Sequence, residues 1–185
     1  MRGILLDRDG VINREHSDYV TGWDRFEFLP GALLSLGRLA RLNWPVVVVT
    51  NQSAVGSGLV TPHTLSRIHQ RMMAAVAAAG GRIDAVFVCP HHPDDGCACR
   101  KPRPGLLWQA AQAFNLRLPN CYLVGDAFGD FLVARAAGCR PILVQSGLQG
   151  PSLPGLLRDE PDVLLLPGLA SAAHAILAGL ERDLT

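Results

Sequence analysis

The stretch RGILLDRDG, residues 2–10, joins a short apolar run to two aspartates and a glycine. Ile4, Leu5 and Leu6 are consecutive apolar residues, which is typical of a strand buried on both faces, as in a parallel sheet. Asp7 closes this run and Asp9 follows two residues later. The sequence therefore predicts a buried strand that ends in a pair of acids.

Five further apolar runs share this character and alternate with segments of helical spacing. The runs are 45–50, 84–89, 121–126, 140–144 and 162–166, and the helical segments are Gly31–Asn43, Thr61–Ala79, Gly105–Asn115 and Gly129–Gly138. Alternating strands and helices fold into a parallel sheet with helices on both faces. We therefore predict a doubly wound, three-layer α/β fold, in which ligands bind beyond the carboxyl ends of the strands.

Length and composition narrow the class of protein. The 185 residues are 49% hydrophobic, which is enough for one buried core, so we expect a single domain over residues 1–185. Charged residues make up 18% and the net charge is +1, so no nucleic acid partner is indicated. No apolar run approaches the roughly 20 residues that span a bilayer, and no signal peptide is recognisable. We expect a cytoplasmic monomer that does not contact a membrane.

Polar residues stand at the carboxyl ends of four predicted strands. They are Asp7 and Asp9, Thr50 and Asn51, Arg100 and Lys101 after a cysteine-rich loop, and Asp126 and Asp130. Any one of them could simply cap a helix, as Asp and Thr often do. Four such strand ends at one edge of a sheet are hard to explain as caps, so we predict a shared site.

This set of side chains suits phosphoryl transfer through an aspartyl-phosphate. A carboxylate such as Asp7 can attack phosphorus, and Asp9 can protonate the leaving alkoxide. Attack on an anion requires its charge to be screened, and Mg²⁺ takes oxygen ligands, for which Asp7 and Asp126 are candidates. Thr50 and Lys101 would hold the phosphate oxygens.

The motifs DRDGVIN (7–13), TNQS (50–53), RKP (100–102) and GD (125–126), in this order, resemble the haloacid dehalogenase superfamily of phosphohydrolases. Within it, the chain is similar to the D-glycero-D-manno-heptose 1,7-bisphosphate 7-phosphatases and to the histidinol-phosphate phosphatases. The resemblance implies these roles: nucleophile for Asp7, general acid and base for Asp9, phosphate binding for Thr50 and Lys101, Mg²⁺ binding for Asp7, Asp126 and the backbone carbonyl of Asp9, and substrate contact for Asn51 and Arg100. Asp130 matches a second acid of the family, which could bind the metal or only favour the helix dipole.

The expected reaction is removal of the 7-phosphate from a small sugar phosphate, the heptose 1,7-bisphosphate. Histidinol phosphate, or another small phosphomonoester, is the alternative substrate. A different class of function, a non-catalytic zinc module that binds protein or nucleic acid, would not need two acids beside a glycine.

A compact cluster of cysteine and histidine precedes Arg100. Cys89, His91, Cys97 and Cys99 have the spacing C-x-H-x5-C-x-C, and four soft ligands suit a closed, structural Zn²⁺ site. His92 is the competing ligand, but the resemblance favours His91. The alternative is a loop of buried or unliganded thiols. Closing the loop on zinc would fix the chain just ahead of the basic pair.

The remaining cysteines and several histidines are not expected to bind metal or substrate. Cys121 and Cys139 lie in apolar surroundings, where burial is the usual role of a free thiol. His63, His69 and His174 fall within helical patterns, and we expect them on the surface. The resemblance implies that the polar segment 10–30 lies over the site as a flap, and a solvated loop is the alternative. The spacing of the motifs leaves no room for a large cap domain.

Overall fold

Six strands form one fully parallel sheet in the computed structural model, which describes residues 1–183. The strands are β1 (Ile4–Leu6), β2 (Val46–Asn51), β3 (Ala85–Cys89), β4 (Tyr122–Gly125), β5 (Arg140–Val144) and β6 (Leu164–Leu166). Their order across the sheet is β3-β2-β1-β4-β5-β6. Each strand corresponds to one predicted run, which confirms the parallel α/β fold.

Seven α-helices cover the sheet within the described residues: α1 (Ala32–Leu39), α2 (Ser53–Gly56), α3 (Pro62–Ala78), α4 (Gly105–Phe114), α5 (Phe128–Ala137), α6 (Leu153–Leu156) and α7 (Leu169–Asp183). Four of them correspond to the predicted helical segments, although α1 ends at Leu39 and not at Asn43. The start of α3 follows from its sequence, because Thr61 Oγ1 accepts a hydrogen bond from the Thr64 amide at 3.0 Å.

The side chains of β1 alternate between two cores. Ile4 and Leu6 pack with residues of α1, α3 and α7 on one face of the sheet, whereas Leu5 packs with α4 and α5 on the other. All three side chains are fully buried. Burial of such a side chain typically contributes about 1.5–3 kcal/mol, which anchors the central strand and therefore the acid that follows it.

The chain reverses its direction across the sheet at β1. It places β2 and β3 on one side of β1, and β4 and the later strands on the other side. A crevice opens at such a switch point, beyond the carboxyl ends of the two adjacent strands. These strands are β1 and β4, and they are followed by Asp7 and Asp126.

The segments that could carry a cap domain are short. The flap over residues 10–30 contains one 3₁₀ turn, Trp23–Arg25, and its aromatic side chains pack on one another, with Trp23 stacked on Phe26 at 4.9 Å between ring centroids. The segment between β2 and the cysteine loop holds α2, α3 and β3. No large cap domain is present in residues 1–183, as predicted. No helix in the same range is long and apolar enough to cross a membrane.

Candidate active site

A cleft of about 470 Å³ opens at the carboxyl edge of the sheet. All the predicted strand-end residues line it: Asp7, Asp9, Thr50, Asn51, Arg100, Lys101, Asp126 and Asp130. Residues of the flap, such as Glu15 and His16, and of the loop after β5, such as Gln149, complete the wall. The structure thus brings together side chains that are separated by more than a hundred residues in the sequence.

Lys101 lies between two carboxylates at the centre of the cleft. Its Nζ is 2.8 Å from Asp7 Oδ2 and 2.6 Å from Asp130 Oδ1. Burial would lower the pKa of Lys101, but Asp130 and Asp7 raise it above its ordinary value, so the ammonium stays charged. Asp130 Oδ2 also accepts a hydrogen bond from the Ala127 amide at 3.2 Å, so both oxygens of Asp130 are engaged.

Three carboxylates crowd the switch point. Oxygens of Asp7, Asp126 and Asp130 all lie within 4.8 Å of one another. Burial raises the pKa of Asp7 to about 6, despite the opposing charge of Lys101. Burial and the neighbouring Asp7 and Asp130 raise the pKa of Asp126 well above its ordinary value. A divalent cation would reverse both shifts, because an opposite charge nearby favours the ionised form.

Two glycines enclose the carboxylate of Asp126. A Cβ added to either Gly10 or Gly147 would collide with this carboxylate. Gly10 also has φ +73°, a left-handed conformation that favours glycine. Close approach of the backbone on two sides makes a tight carboxylate-lined cradle, and carboxylates are the ligands that Mg²⁺ prefers in proteins. Asp7 and Asp126 follow the two strands that flank the switch point, β1 and β4, so they are the members of the trio best placed to hold a cation there.

Asp9 is held by donors from three residues. Arg8 Nη2 lies 2.8 Å from both oxygens of Asp9, Asn13 Nδ2 donates to Oδ1 at 2.9 Å, and Gln52 Nε2 donates to Oδ2 at 2.7 Å. Burial would raise the pKa of Asp9, but Arg8 and these hydrogen bonds lower it below its ordinary value. In the free protein Asp9 is therefore ionised and fixed in direction.

The two polar residues at the end of β2 have different surroundings. Thr50 is buried, and its Oγ1 accepts a hydrogen bond from Gln52 Nε2 at 2.9 Å. The Asn51 side chain accepts from the Lys101 amide and donates to the Lys101 carbonyl, each at 3.1 Å. This pair of bonds fixes the backbone of Lys101 against the end of β2.

The cysteine loop gathers four ligand atoms. His91 Nδ1 is 3.3 Å from Cys99 Sγ and 3.6 Å from Cys89 Sγ, and Cys97 Sγ is 3.5 Å from Cys89 Sγ. Hydrogen bonds from the Arg100 backbone and the neighbouring thiols outweigh desolvation and lower the pKa of Cys97 to about 7. This cluster could hold a metal ion. The competing His92 caps the 3₁₀ turn Pro93–Asp95, with its Nδ1 accepting from the Asp94 amide at 3.4 Å.

One expectation about the histidines is wrong. His69 is not on the surface: it is 7% exposed and its Nε2 lies 3.0 Å from Arg8 Nη1. The helical spacing contained the signal, because His69 follows Leu65 by four residues and precedes Met72 by three, on the buried face of α3. Cys121 and Cys139 are buried, as expected.

Sequence reasoning also missed residues that shape the cleft. Arg8, between the two acids, is 1% exposed, and Gln52 bridges Asp9 and Thr50. Glu15 Oε2 accepts a hydrogen bond from the Leu148 amide at 2.7 Å and so ties the flap to the loop after β5. The position of Arg8 between two acids was a usable signal, whereas the Glu15 contact depends on loops that sequence patterns do not place.

Comparison with known proteins places the chain in a family. A family model described as HAD-hydrolase-like (HAD, haloacid dehalogenase) matches residues 98–172. The chain is 46% identical, over 80% of its length and 82% of the relative, to the D-glycero-β-D-manno-heptose-1,7-bisphosphate 7-phosphatase of Bordetella bronchiseptica. It is 39% identical, over 80% of its length and 81% of the relative, to the D-glycero-α-D-manno-heptose-1,7-bisphosphate 7-phosphatase of Mycobacterium tuberculosis.

Solved structures agree with this result. The crystal structure of D,D-heptose 1,7-bisphosphate phosphatase from B. bronchiseptica, complexed with magnesium and phosphate, superposes with a TM-score of 0.90 and 41% identity over 97% of this chain and 99% of that one. The corresponding enzyme from Burkholderia thailandensis gives a TM-score of 0.72 and 32% identity over 96% and 99%. The chain therefore belongs to the haloacid dehalogenase-like hydrolases, in the family that includes these heptose-1,7-bisphosphate phosphatases.

Proposed function

We propose that this chain hydrolyses the 7-phosphate of D-glycero-D-manno-heptose 1,7-bisphosphate through an aspartyl-phosphate. The observation that carries this proposal is the likeness to phosphatases of that name over four fifths of the chain, together with a cleft lined by every strand-end residue. Asp7 attacks the phosphorus, and the bond between phosphorus and the sugar oxygen breaks. Water then attacks the phosphorus of the aspartyl-phosphate, which releases inorganic phosphate and regenerates Asp7.

Asp9 supplies the proton to the leaving sugar oxygen and removes one from the attacking water. Its lowered pKa in the free protein means that it must gain a proton when the substrate binds. A phosphate dianion beside the carboxylate favours the neutral form, because like charges disfavour ionisation. Thr50 and Lys101 bind the oxygens of the transferring group, and Asp130 and Asn51 position Lys101.

Mg²⁺ is the metal that the cradle around Asp126 fits. Asp7, Asp126 and the carbonyl of Asp9 would hold it, and carboxylates with raised pKa values are the groups that a cation would stabilise. When bound, the ion screens the repulsion between the carboxylate nucleophile and the phosphate. The magnesium in the B. bronchiseptica structure supports this assignment.

Zn²⁺ is the ion that we infer for the cysteine loop. The ligand atoms are separated by 3.3–3.6 Å along the closest pairs. A tetrahedron with edges of about 3.5 Å has its centre about 2.1 Å from each corner, which is close to ordinary zinc–sulfur and zinc–nitrogen distances. With Cys89, His91, Cys97 and Cys99 as ligands, the coordination sphere is full and the zinc is structural.

Arg100 supports a bisphosphate substrate. Its Nη1 is buried and has no hydrogen-bond partner among residues 1–183, although the side chain lines the cleft. A buried guanidinium N–H without an acceptor is costly, and a phosphate oxygen of a ligand would satisfy it. Lys101 is already engaged at the transferring group, so Arg100 is free to bind the second phosphate.

A hydrolysis panel tests the proposed substrate. The purified protein with Mg²⁺ is assayed on both anomers of the heptose 1,7-bisphosphate, on histidinol phosphate and on hexose monophosphates. Both anomers are needed because relatives named for each match this chain at 39–46% identity. We expect kcat/KM to be highest for a heptose bisphosphate and Asp7→Asn to abolish turnover of every substrate, which excludes a contaminating phosphatase. A preference for histidinol phosphate would overturn the substrate assignment but not the reaction type.

A further inference from the structure

The guanidinium of Arg8 is a buried cation beside the proposed general acid. Arg8 is 1% exposed, and its Nη2 donates to both oxygens of Asp9 at 2.8 Å. Its Nε lies 3.3 Å from Asp9 Oδ1. A guanidinium carries five N–H donors in one rigid plane, so the direction of this plane sets the direction of the carboxylate that it binds.

The other end of the same guanidinium is anchored on α3. Arg8 Nη1 is 3.0 Å from His69 Nε2, and His69 is 7% exposed. Arginine can only donate, so His69 Nε2 is the acceptor and carries no proton. Burial and the charge of Arg8 lower the pKa of His69 to about 3, which agrees with a neutral ring. Leu65 and Met72 are buried on the same face of α3 as His69.

We propose that His69 is a positioning residue for this reaction: it fixes the Arg8 guanidinium and, through it, the carboxylate of Asp9. The inference rests on the proposed function, because it requires Asp9 to protonate the leaving group. Proton transfer requires the donor within hydrogen-bond reach of the leaving oxygen, and small misplacements reduce it strongly. Without an acceptor at Nη1, the guanidinium plane would lose one of the contacts that orient it.

The dependence on the leaving group separates a positioning role from a merely structural one. A sugar alkoxide needs a proton to depart, whereas a nitrophenolate departs without one. We expect His69→Leu to lower kcat/KM for the sugar bisphosphate at least about tenfold more than for p-nitrophenyl phosphate. His69→Gln, whose side-chain oxygen can accept from Arg8, should restore most of the difference. If the leucine variant does not fold, His69→Met serves instead, because methionine is also apolar and its thioether accepts hydrogen bonds only weakly.

Matched variants decide the interpretation. Met72→Ala removes a buried side chain from the same face of α3 and should lower Tm without changing the ratio of the two kcat/KM values. Equal losses on both substrates in His69→Leu, or no recovery in His69→Gln, would overturn the inference. Asp9→Asn is measured beside them. If it shows the leaving-group effect and His69→Leu does not, only the inference fails; if Asp9→Asn shows none, the acid assignment in the proposed function fails, and the inference with it.

Discussion

Arg100 is the residue whose substitution should separate substrate choice from chemistry. Its buried Nη1 lacks a protein partner in the described part of the chain, and we propose that this nitrogen donates to the second phosphate of the substrate. We expect Arg100→Ala to lower kcat/KM for the heptose bisphosphate by about ten- to a hundredfold, the worth of a charge-assisted hydrogen bond of roughly 1.5–3 kcal/mol. The loss on the heptose 7-monophosphate should be much smaller, as steady-state kinetics on both substrates will measure.

Arg103 provides the control for this variant. Arg103 Nη1 donates to the Cys97 carbonyl at 2.6 Å, so Arg103→Ala disturbs the cysteine loop without removing a residue that lines the cleft. Damage to the loop should lower kcat/KM for both substrates by the same factor. If Arg100→Ala gives the same uniform loss, then Arg100 serves the transferring phosphate or the structure of the loop.

His69 should make the stability of the protein sensitive to acid. Its folded-state pKa of about 3 lies below the ordinary value of 6.5, so between these values the unfolded chain binds more protons and stability falls as pH falls. At pH 5 this costs about 2 kcal/mol relative to pH 8. Urea titrations of His69→Gln and wild type give the difference between their free energies of unfolding. We expect this difference to shift in favour of the variant by about that amount when the pH is lowered from 8 to 5.

Other titrating groups cancel in this comparison. The raised pKa of Asp7, about 6, acts in the opposite sense, because the stability that it contributes at low pH is lost as pH rises through that value, but both proteins contain Asp7. The exposed His63, at the start of the same helix, gives the control variant His63→Gln. A shift of the same size in this control would contradict the assignment to His69.

Residue types at strand ends could be predicted from the sequence, but their partners could not. Asp7, Asp126 and Lys101 were placed correctly in one cleft because parallel strands share a carboxyl edge. The contact between Arg8 and His69 joins residues 61 positions apart, and no local pattern specifies it. A charged residue next to a buried strand must find acceptors, so the burial of Arg8 implied a partner without naming it.

At the scale of elements, the cysteine loop connects zinc binding to the position of Lys101. Pro90 and Cys89 accept hydrogen bonds from the Gly56 and Gln52 amides, each at 2.8 Å, so the start of the loop is tied to the segment after β2. A Cβ at Gly105 would collide with the Ala98 carbonyl, so the loop also packs closely on the start of α4. Between these supports the loop has little core of its own, and a bound ion would supply the missing constraint.

Replacing one ligand tests this arrangement. Wild type should contain about one zinc per chain by elemental analysis. Cys97→Ser should lower the zinc content and reduce Tm by about 6–12 °C, corresponding to roughly 3 kcal/mol. Phosphatase activity should fall as well, because Lys101 follows the loop directly. Cys139→Ala, at a buried thiol outside the cluster, should keep its zinc. A stable and fully active wild type without zinc would contradict the proposal.

The elements themselves were predicted unevenly. The strands and four helices follow from apolar runs and helical spacing, whereas α7 was not given bounds, although His174 was assigned to a helical pattern. The inward face of α7 contains the small residues Ala172 and Ala173 beside Ile176. The apolar stripe is regular in spacing, but its small side chains make the hydrophobic signal weak. The short helices α2 and α6 have only four residues each, too few to show a period.

For the whole molecule, the order of the strands explains why one site forms. Six runs of similar composition do not state which strands are neighbours, so the sequence alone could give the fold class but not the order β3-β2-β1-β4-β5-β6. That order places the ends of β1 and β4 side by side and forces Asp7 and Asp126 together. The single domain and the monomeric state remain predictions.

This arrangement concentrates negative charge in the fold. Asp126 is 2% exposed, and burial and its acidic neighbours raise its pKa well above the ordinary value. The stability that the protonated group contributes at low pH is lost as pH rises through the raised pKa. Wherever the unfolded group is ionised, the raised pKa of Asp126 therefore works against folding in the absence of a cation, and Mg²⁺ should relieve the cost.

We expect Asp126→Asn to be more stable than wild type in Mg²⁺-free buffer at pH 8, since the amide carries no charge. Wild type should gain stability on addition of Mg²⁺, by about 2.7 kcal/mol at a hundred times Kd, whereas Asp126→Asn should gain much less and lose its activity. Thermal unfolding with and without Mg²⁺ measures both effects, in buffers free of chelators that would also remove zinc. Asp162→Asn, at an exposed acid, should behave like wild type. An ion that binds only the folded state stabilises it through the residues that hold the ion. A full Mg²⁺ response in Asp126→Asn would therefore show that Asp126 does not hold the ion.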